Sequence, residues 1–310
     1  GLSVPLMNTR RSLPERLTNG EILLLDGATG TEIERRGLHT YLPLWSALGL
    51  IEQPALVRAI HEDYAQAGAD ILTANTFRTT ARTLSHAGYD PAQASDLTRL
   101  AVRLAHEAAT ATGRDILIAG SIAPLEDCYS PWLSPSAEIA FPEHLAHARN
   151  LAAAGVDFLM VETMPVIDEA AAAARAARTT GLPVTVGFVL GEDGQLLSGE
   201  TLAEAVQRVA PLGVCAILVN CSPPETITKA LRTLRSLTDL PIGGYANLGT
   251  VDDTVGWRAD EQTSGPDYAA IAEQWLLAGA QIIGGCCGTR PEHIAALREL
   301  LDGYQARSGR

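Results

Sequence analysis

Four stretches of this chain share one text. Each opens on a glycine between aliphatic residues: Ala67-Gly68-Ala69-Asp70, Ala154-Gly155-Val156-Asp157, Leu212-Gly213-Val214-Cys215 and Ala278-Gly279-Ala280-Gln281. The glycine stands where a left-handed residue would end a preceding helix. Apolar runs follow and align without gaps as DILTANT, DFLMVET, CAILVNC and QIIGGCC. The register puts Asn75, Glu162, Asn220 and Cys286 at one position and Thr76, Thr163, Cys221 and Cys287 at the next. Polar and thiol groups therefore collect at one end of otherwise apolar strands. A fold built on this unit must gather those ends.

Short apolar runs at 22–26, 70–75, 116–121, 157–162, 184–190, 215–220, 242–247 and 281–286 predict eight strands. Segments of helical period, such as 54–67, 92–112 and 271–278, lie between them. Alternating strands and helices in a chain of 310 residues predict an α/β fold. The expected form is a single (β/α)8 TIM barrel whose active site lies at the C-terminal ends of the strands. Periodicity does not close a barrel, so an open doubly wound sheet remains the structural rival. No linker divides the chain. The expected layout is a leader at 1–20, a barrel at 21–304 and a tail at 305–310. The stretches 130–136, 191–199 and 251–266 read as rim loops able to cover a substrate.

The net charge of −13 argues against a nucleic-acid partner and against attachment to anionic lipid. No apolar run reaches the roughly 18 residues of a membrane helix, and the N-terminus lacks the apolar centre of a secretory signal. Five cysteines in a chain this long do not read as a disulfide framework. A reducing, cytoplasmic setting is expected, where clustered thiols suggest metal or nucleophile chemistry.

The cluster is Gly284-Gly285-Cys286-Cys287-Gly288. Neighbouring strand residues point to opposite faces, so adjacent cysteines ordinarily cannot share an ion, but flanking glycines permit turns that relax this limit. Cys221, on the same proposed rim, could supply a third sulfur. Three sulfurs and an open position describe a catalytic zinc site rather than a structural one. Spacing alone does not separate such a site from ordinary buried cysteines, the reading given to Cys128 and Cys215. A disulfide between adjacent cysteines would need strained geometry.

Asp26, in Leu25-Asp26-Gly27-Ala28-Thr29-Gly30, ends the first strand in a glycine-punctuated loop. The loop lacks the lysine of a phosphate-binding P-loop. A carboxylate there suits a substrate ammonium, and the loop amides suit a carboxylate. Glu162 is the second candidate for that ammonium. A helix cap for Asp26 and an internal ion pair for Glu162 are the structural alternatives.

Together, LLLDGATGTE, LPLWSA, ANTF, GSIAP, VET, VNC and IGGCCGT resemble the homocysteine S-methyltransferase family over essentially the whole chain, about 21–301. The resemblance implies a zinc-containing (β/α)8 barrel that methylates the homocysteine thiol to give methionine. It implies Cys221, Cys286 and Cys287 as zinc ligands, and Asp26 and Glu162 on the homocysteine amino group, with Gly27, Ala28 and Thr163 nearby. Asn247 is the candidate for the vacant zinc position before substrate enters, and Asn220 for an orienting group. Trp45 resembles the branch using S-methylmethionine or S-adenosylmethionine, and Phe77 and Trp257 could add faces for a sulfonium. The partners expected are small molecules alone. Alternatives are betaine, a separate methylated corrinoid protein, a selenocysteine acceptor, or a zinc-binding barrel without turnover.

Overall fold

Gly68, Gly155, Gly213 and Gly279 all adopt left-handed backbone, with φ between 82° and 111°. Each reverses the chain from a helix or helical turn into a strand, as the repeat predicts. The computed structural model describes residues 11–309. Its strands are β1 (Leu23–Leu24), β2 (Ile71–Thr73), β3 (Leu117–Ile122), β4 (Phe158–Met164), β5 (Val184–Phe188), β6 (Ala216–Asn220), β7 (Ile242–Ala246), β8 (Gly249–Asp252), β9 (Gly256–Ala259) and β10 (Ile282–Gly285). Eight of them pair in parallel in the order β1-β10-β7-β6-β5-β4-β3-β2. The ends of that order meet: Leu25 bridges Ile71, the Asp70 amide donates to the Leu24 carbonyl at 2.7 Å, and the Asp26 amide donates to Ile71 at 3.1 Å. The sheet closes, which removes the open-sheet rival. The fold is a single (β/α)8 barrel.

The predicted strands all appear, each trimmed or extended by a few residues. The expected helix at 54–67 is Pro54–Ala67, the one at 92–112 begins at Ala94 after a short turn, and the one at 271–278 begins earlier, at Gly265. The stretch 251–266, expected to be loop alone, contains part of an antiparallel hairpin, β8 with β9, folded over the rim.

Two apolar layers hold the barrel. The outer one lies between strands and helices and includes the fully buried Trp275 and Tyr268. The Tyr268 hydroxyl donates to the Gly284 carbonyl at 2.6 Å and accepts from the Ala246 amide at 3.1 Å, tying β10 to β7 where they approach the rim. The inner layer fills the lumen with Leu23, Leu25, Ile71, Leu117, Phe158, Met160, Leu218 and Ile282.

Leu13 and Leu17 belong to that inner layer. They come from a helix, Leu13–Thr18, capped by the Ser12 hydroxyl, which accepts from the Glu15 amide at 3.3 Å. Gln281 donates to the Leu17 carbonyl at 2.9 Å, so the helix stoppers the barrel at its N-terminal end. Residues 13–18 of the expected leader are thus folded, residues 1–10 lie outside the described part, and the final helix Pro291–Ser308 runs into the expected tail. Removing a buried leucine from such a plug leaves a cavity costing about 2–5 kcal/mol. Leu17→Ala is expected to lower the urea midpoint accordingly while leaving the distant rim chemistry intact. A midpoint equal to the parent's would show that the plug contributes nothing. Among the described residues no helix is long and apolar enough to cross a membrane.

Candidate functional site

At the rim, the backbone leaves the strands abruptly. Thr163 and Cys221, which occupy one repeat position, have φ of 61° and 51°. Non-glycine residues held in this left-handed region store strain that concentrates at functional sites. Asn220 secures both turns: its Oδ1 accepts from the Thr163 amide at 3.0 Å, and its Nδ2 donates to Thr163 Oγ1 at 2.8 Å and Cys221 Sγ at 3.2 Å. Asn220 is fully buried. It therefore lies behind the Cys221 sulfur and contacts it directly.

β10 ends at Gly285, and a turn over Cys286–Thr289 follows, closed by the Thr289 amide on the Cys286 carbonyl at 3.1 Å. A Cβ at Gly288 would fall on the Leu248 carbonyl, so the turn is built for glycine there. The turn frees Cys286 and Cys287 from strand alternation, and both line one cavity with Cys221. Cys221 and Cys286 are joined as a disulfide whose Cα atoms stand 5.5 Å apart, while Cys287 is a free, buried thiol. Three free thiols were expected, and the bond considered was one between adjacent cysteines; the bond found spans the rim instead. In this oxidised arrangement no group of three or more His, Cys, Asp or Glu side chains among the described residues is placed to hold a metal ion.

The carboxylates converge on the same cavity, of about 150 Å³. Asp26 is buried, its oxygens accepting from the Thr73 amide and hydroxyl, each at 2.9 Å. Burial pushes its pKa up to about 8, against the Thr73 bonds and with a further push from the Glu162 charge. Glu162 accepts from the Ser121 hydroxyl at 2.5 Å and the Tyr245 hydroxyl at 2.9 Å, and burial raises its pKa as well. Neither carboxylate has a basic partner among the described residues. Among the described residues the Asp26 side chain caps no helix, since Thr29 holds the N-cap position of the next one, and Glu162 forms no ion pair.

Gly27 and Ala28 form the floor beside Asp26. A Cβ on Gly27 would meet Thr289 Oγ1 and the Tyr64 hydroxyl, each at 2.8 Å, so the backbone lies close against the end of the barrel. Trp45, Phe77 and Trp257 also line the cavity. Trp45 and Phe77 meet edge to face with centroids 5.8 Å apart, and Trp257, carried by β9, stacks on Tyr129 at 6.2 Å. Asn247 faces an adjoining recess shared with Cys221 and Trp257. Its Nδ2 donates to the Tyr129 hydroxyl at 3.3 Å, and its Oδ1 is buried without a hydrogen-bond partner. Sequence reasoning passed over Ser121, Tyr245 and Thr73, which hold the carboxylates. It also passed over Tyr129 and Arg78 in the cavity wall, where Cys128, read as an ordinary buried cysteine, is buried and lines the same cavity. Ser121 stood in the GSIAP motif and Tyr245 in the predicted strand 242–247, and both point inward by strand alternation. Cys215 lies against the inner apolar layer, as expected of a structural cysteine.

The profile of the homocysteine S-methyltransferase family matches residues 23–301. The homocysteine S-methyltransferase of Escherichia coli strain K12 is 35% identical over 94% of this chain and 99% of its own length. The solved homocysteine methyltransferase MmuM from Escherichia coli superposes in its metallated form with a TM-score of 0.80 and in its oxidized form with 0.81. Both are 34% identical and cover 92% of this chain and 99% of theirs.

Proposed function

Since the chain belongs to the homocysteine S-methyltransferase family, we propose that it transfers a methyl group to the homocysteine thiol from a sulfonium donor, S-methylmethionine ahead of S-adenosylmethionine. The observation that carries this reading is the meeting of three cysteines, two buried carboxylates and an aromatic wall in one cavity.

Zinc is part of the proposal. The residues fit it: Cys221, Cys286 and Cys287 line one cavity, a hydrogen-bond donor is aimed at Cys221 Sγ, and the orphaned Asn247 Oδ1 faces the adjoining recess. Reduction of the Cys221–Cys286 bond would release the full set. Zinc held by three thiolates would lower the pKa of an incoming thiol, mostly protonated near neutral pH when free, and keep its sulfur nucleophilic. Asn220 and Thr163 would fix the direction of Cys221. Asn247 would fill the fourth position until substrate displaces it.

Asp26 and Glu162 would take the homocysteine ammonium between them, while the Gly27–Ala28 backbone receives its carboxylate. The thiolate sulfur then attacks the donor methyl carbon, and the C–S⁺ electron pair returns to a neutral sulfide. With S-methylmethionine that sulfide is itself methionine. The leaving group needs no proton, which agrees with a reaction end lined by aromatic rings rather than by a free general acid. Those rings would face the sulfonium and exclude water.

A donor panel tests this. With reduced, zinc-loaded protein and homocysteine, methionine formation is expected to be fastest with S-methylmethionine, slower with S-adenosylmethionine, and negligible with betaine or methylcobalamin. Betaine turnover well above either sulfonium would overturn the donor assignment.

A further inference from the structure

Arg78, in the wall of this cavity, is a charge without an ionic partner among the described residues. It follows Phe77, and its guanidinium lies 4.8 Å from the centre of the Phe77 ring. Two backbone carbonyls pin it: Nη1 donates to Pro124 at 2.8 Å and Nη2 to Glu126 at 3.3 Å. The remaining N–H groups, on Nε and on each terminal nitrogen, have no acceptor among the described residues. The neighbouring carboxylates are engaged elsewhere. Glu126 pairs with Arg82 at 2.8 Å, and Glu169 with His144 at 2.7 Å. Asp127 accepts from the Ser130 hydroxyl at 2.7 Å and from the Tyr129 amide. Burial disfavours the charge enough to lower the Arg78 pKa. A desolvated, half-spent guanidinium fork facing a cavity is suited to a carboxylate, which it can grip through two parallel hydrogen bonds.

Homocysteine already has a place for its carboxylate in the reading above, at the Gly27–Ala28 backbone. The second substrate does not. We propose that Arg78 anchors the α-carboxylate of an amino-acid sulfonium donor, and so selects donors that carry one. This rests on the sulfonium reading of the site. Trp45 and Phe77 would face the sulfonium while Arg78, stacked on the same Phe77, holds the far end of the donor. The fixed span between ring face and guanidinium then sets donor length as well as charge.

The test compares Arg78→Gln with the parent protein on two donors. One is S-methylmethionine; the other is (3-aminopropyl)dimethylsulfonium, the same molecule without its carboxylate. Losing a charge-assisted hydrogen bond should raise the KM for S-methylmethionine about tenfold to a hundredfold. The KM for the carboxylate-free donor, or its Ki if it is not turned over, should not change, nor should the KM for homocysteine. Arg78→Lys should recover part of the loss. Equal weakening of both donors would mean that Arg78 only props the 124–126 loop, and the proposal fails. A rise in homocysteine KM alone would move the anchor to the other substrate and equally overturn it. If the parent forms no methionine from either sulfonium, the donor reading itself falls and this anchor falls with it, a result distinct from the other two.

Discussion

Replacing Cys221, Cys286 or Cys287 by serine is expected to cost at least about a hundredfold in both bound zinc and methionine formation. Partners that merely orient a metal ligand are commonly worth 10–100-fold, so a ligand itself should reach the upper end of that range. The fold should survive. The inner and outer apolar layers are built from residues below the rim, and closure runs through Leu25 and Ile71, not through sulfur. Circular dichroism of each variant should therefore match the parent, unlike a zinc finger, in which metal binding and folding are one event. Cys215→Ser, against the inner layer far from the rim thiols, is the control and should keep its zinc. The disulfide adds a second readout. In denaturant, the oxidised protein should show three reactive thiols, Cys128, Cys215 and Cys287, and all five cysteines after reduction. Zinc should load only after reduction. Full activity in Cys221→Ser, or active protein without stoichiometric zinc, would refute the thiol site.

The repeat made the architecture legible because it reports two physical needs at once: a left-handed helix end and an apolar strand whose last residues meet solvent and substrate. It also put Glu162, Asn220 and Cys286 on one rim, where they stand. Closure was not legible, since the bridge from Leu25 to Ile71 is a tertiary event that no local period records. The disulfide was hidden for a related reason. Cys221 and Cys286 are 65 residues apart and each just past the end of one of two strands separated by β7, and only the left-handed turn at Cys221 and the turn after Gly285 bring their sulfurs together. The N-terminal plug did carry a signal, Ser12-Leu13-Pro14-Glu15, a serine cap three residues before a glutamate. A helix of six residues is too short to add a periodic signal to it. Arg78 and Tyr129 sit outside the strands, where positions are set by packing rather than by period.

Asp26→Asn and Glu162→Gln are each expected to weaken homocysteine binding about tenfold to a hundredfold, the worth of one charge-assisted hydrogen bond. The substitutions are nearly isosteric. An asparagine at 26 can still accept from the Thr73 amide and donate to its hydroxyl, so the loss falls on the substrate and not on the scaffold. The raised Asp26 pKa gives this prediction a sign. In the free protein Asp26 is mostly protonated at pH 7, because its pKa lies near 8. An ammonium beside it favours the ionised form, so binding should expel a proton. Affinity should improve as pH rises from 6 towards 8 and level off above that point. Methionine, which carries the same ammonium and no thiol proton, isolates the effect. Calorimetry at pH 7 in buffers of different ionisation enthalpy should detect proton release when methionine binds the parent, and less of it with Asp26→Asn. Homocysteine affinity unchanged in both variants would remove these carboxylates from the substrate site. Unchanged proton release in Asp26→Asn would assign the titrating group elsewhere, leaving Glu162 as the side chain to test next by the same measurement.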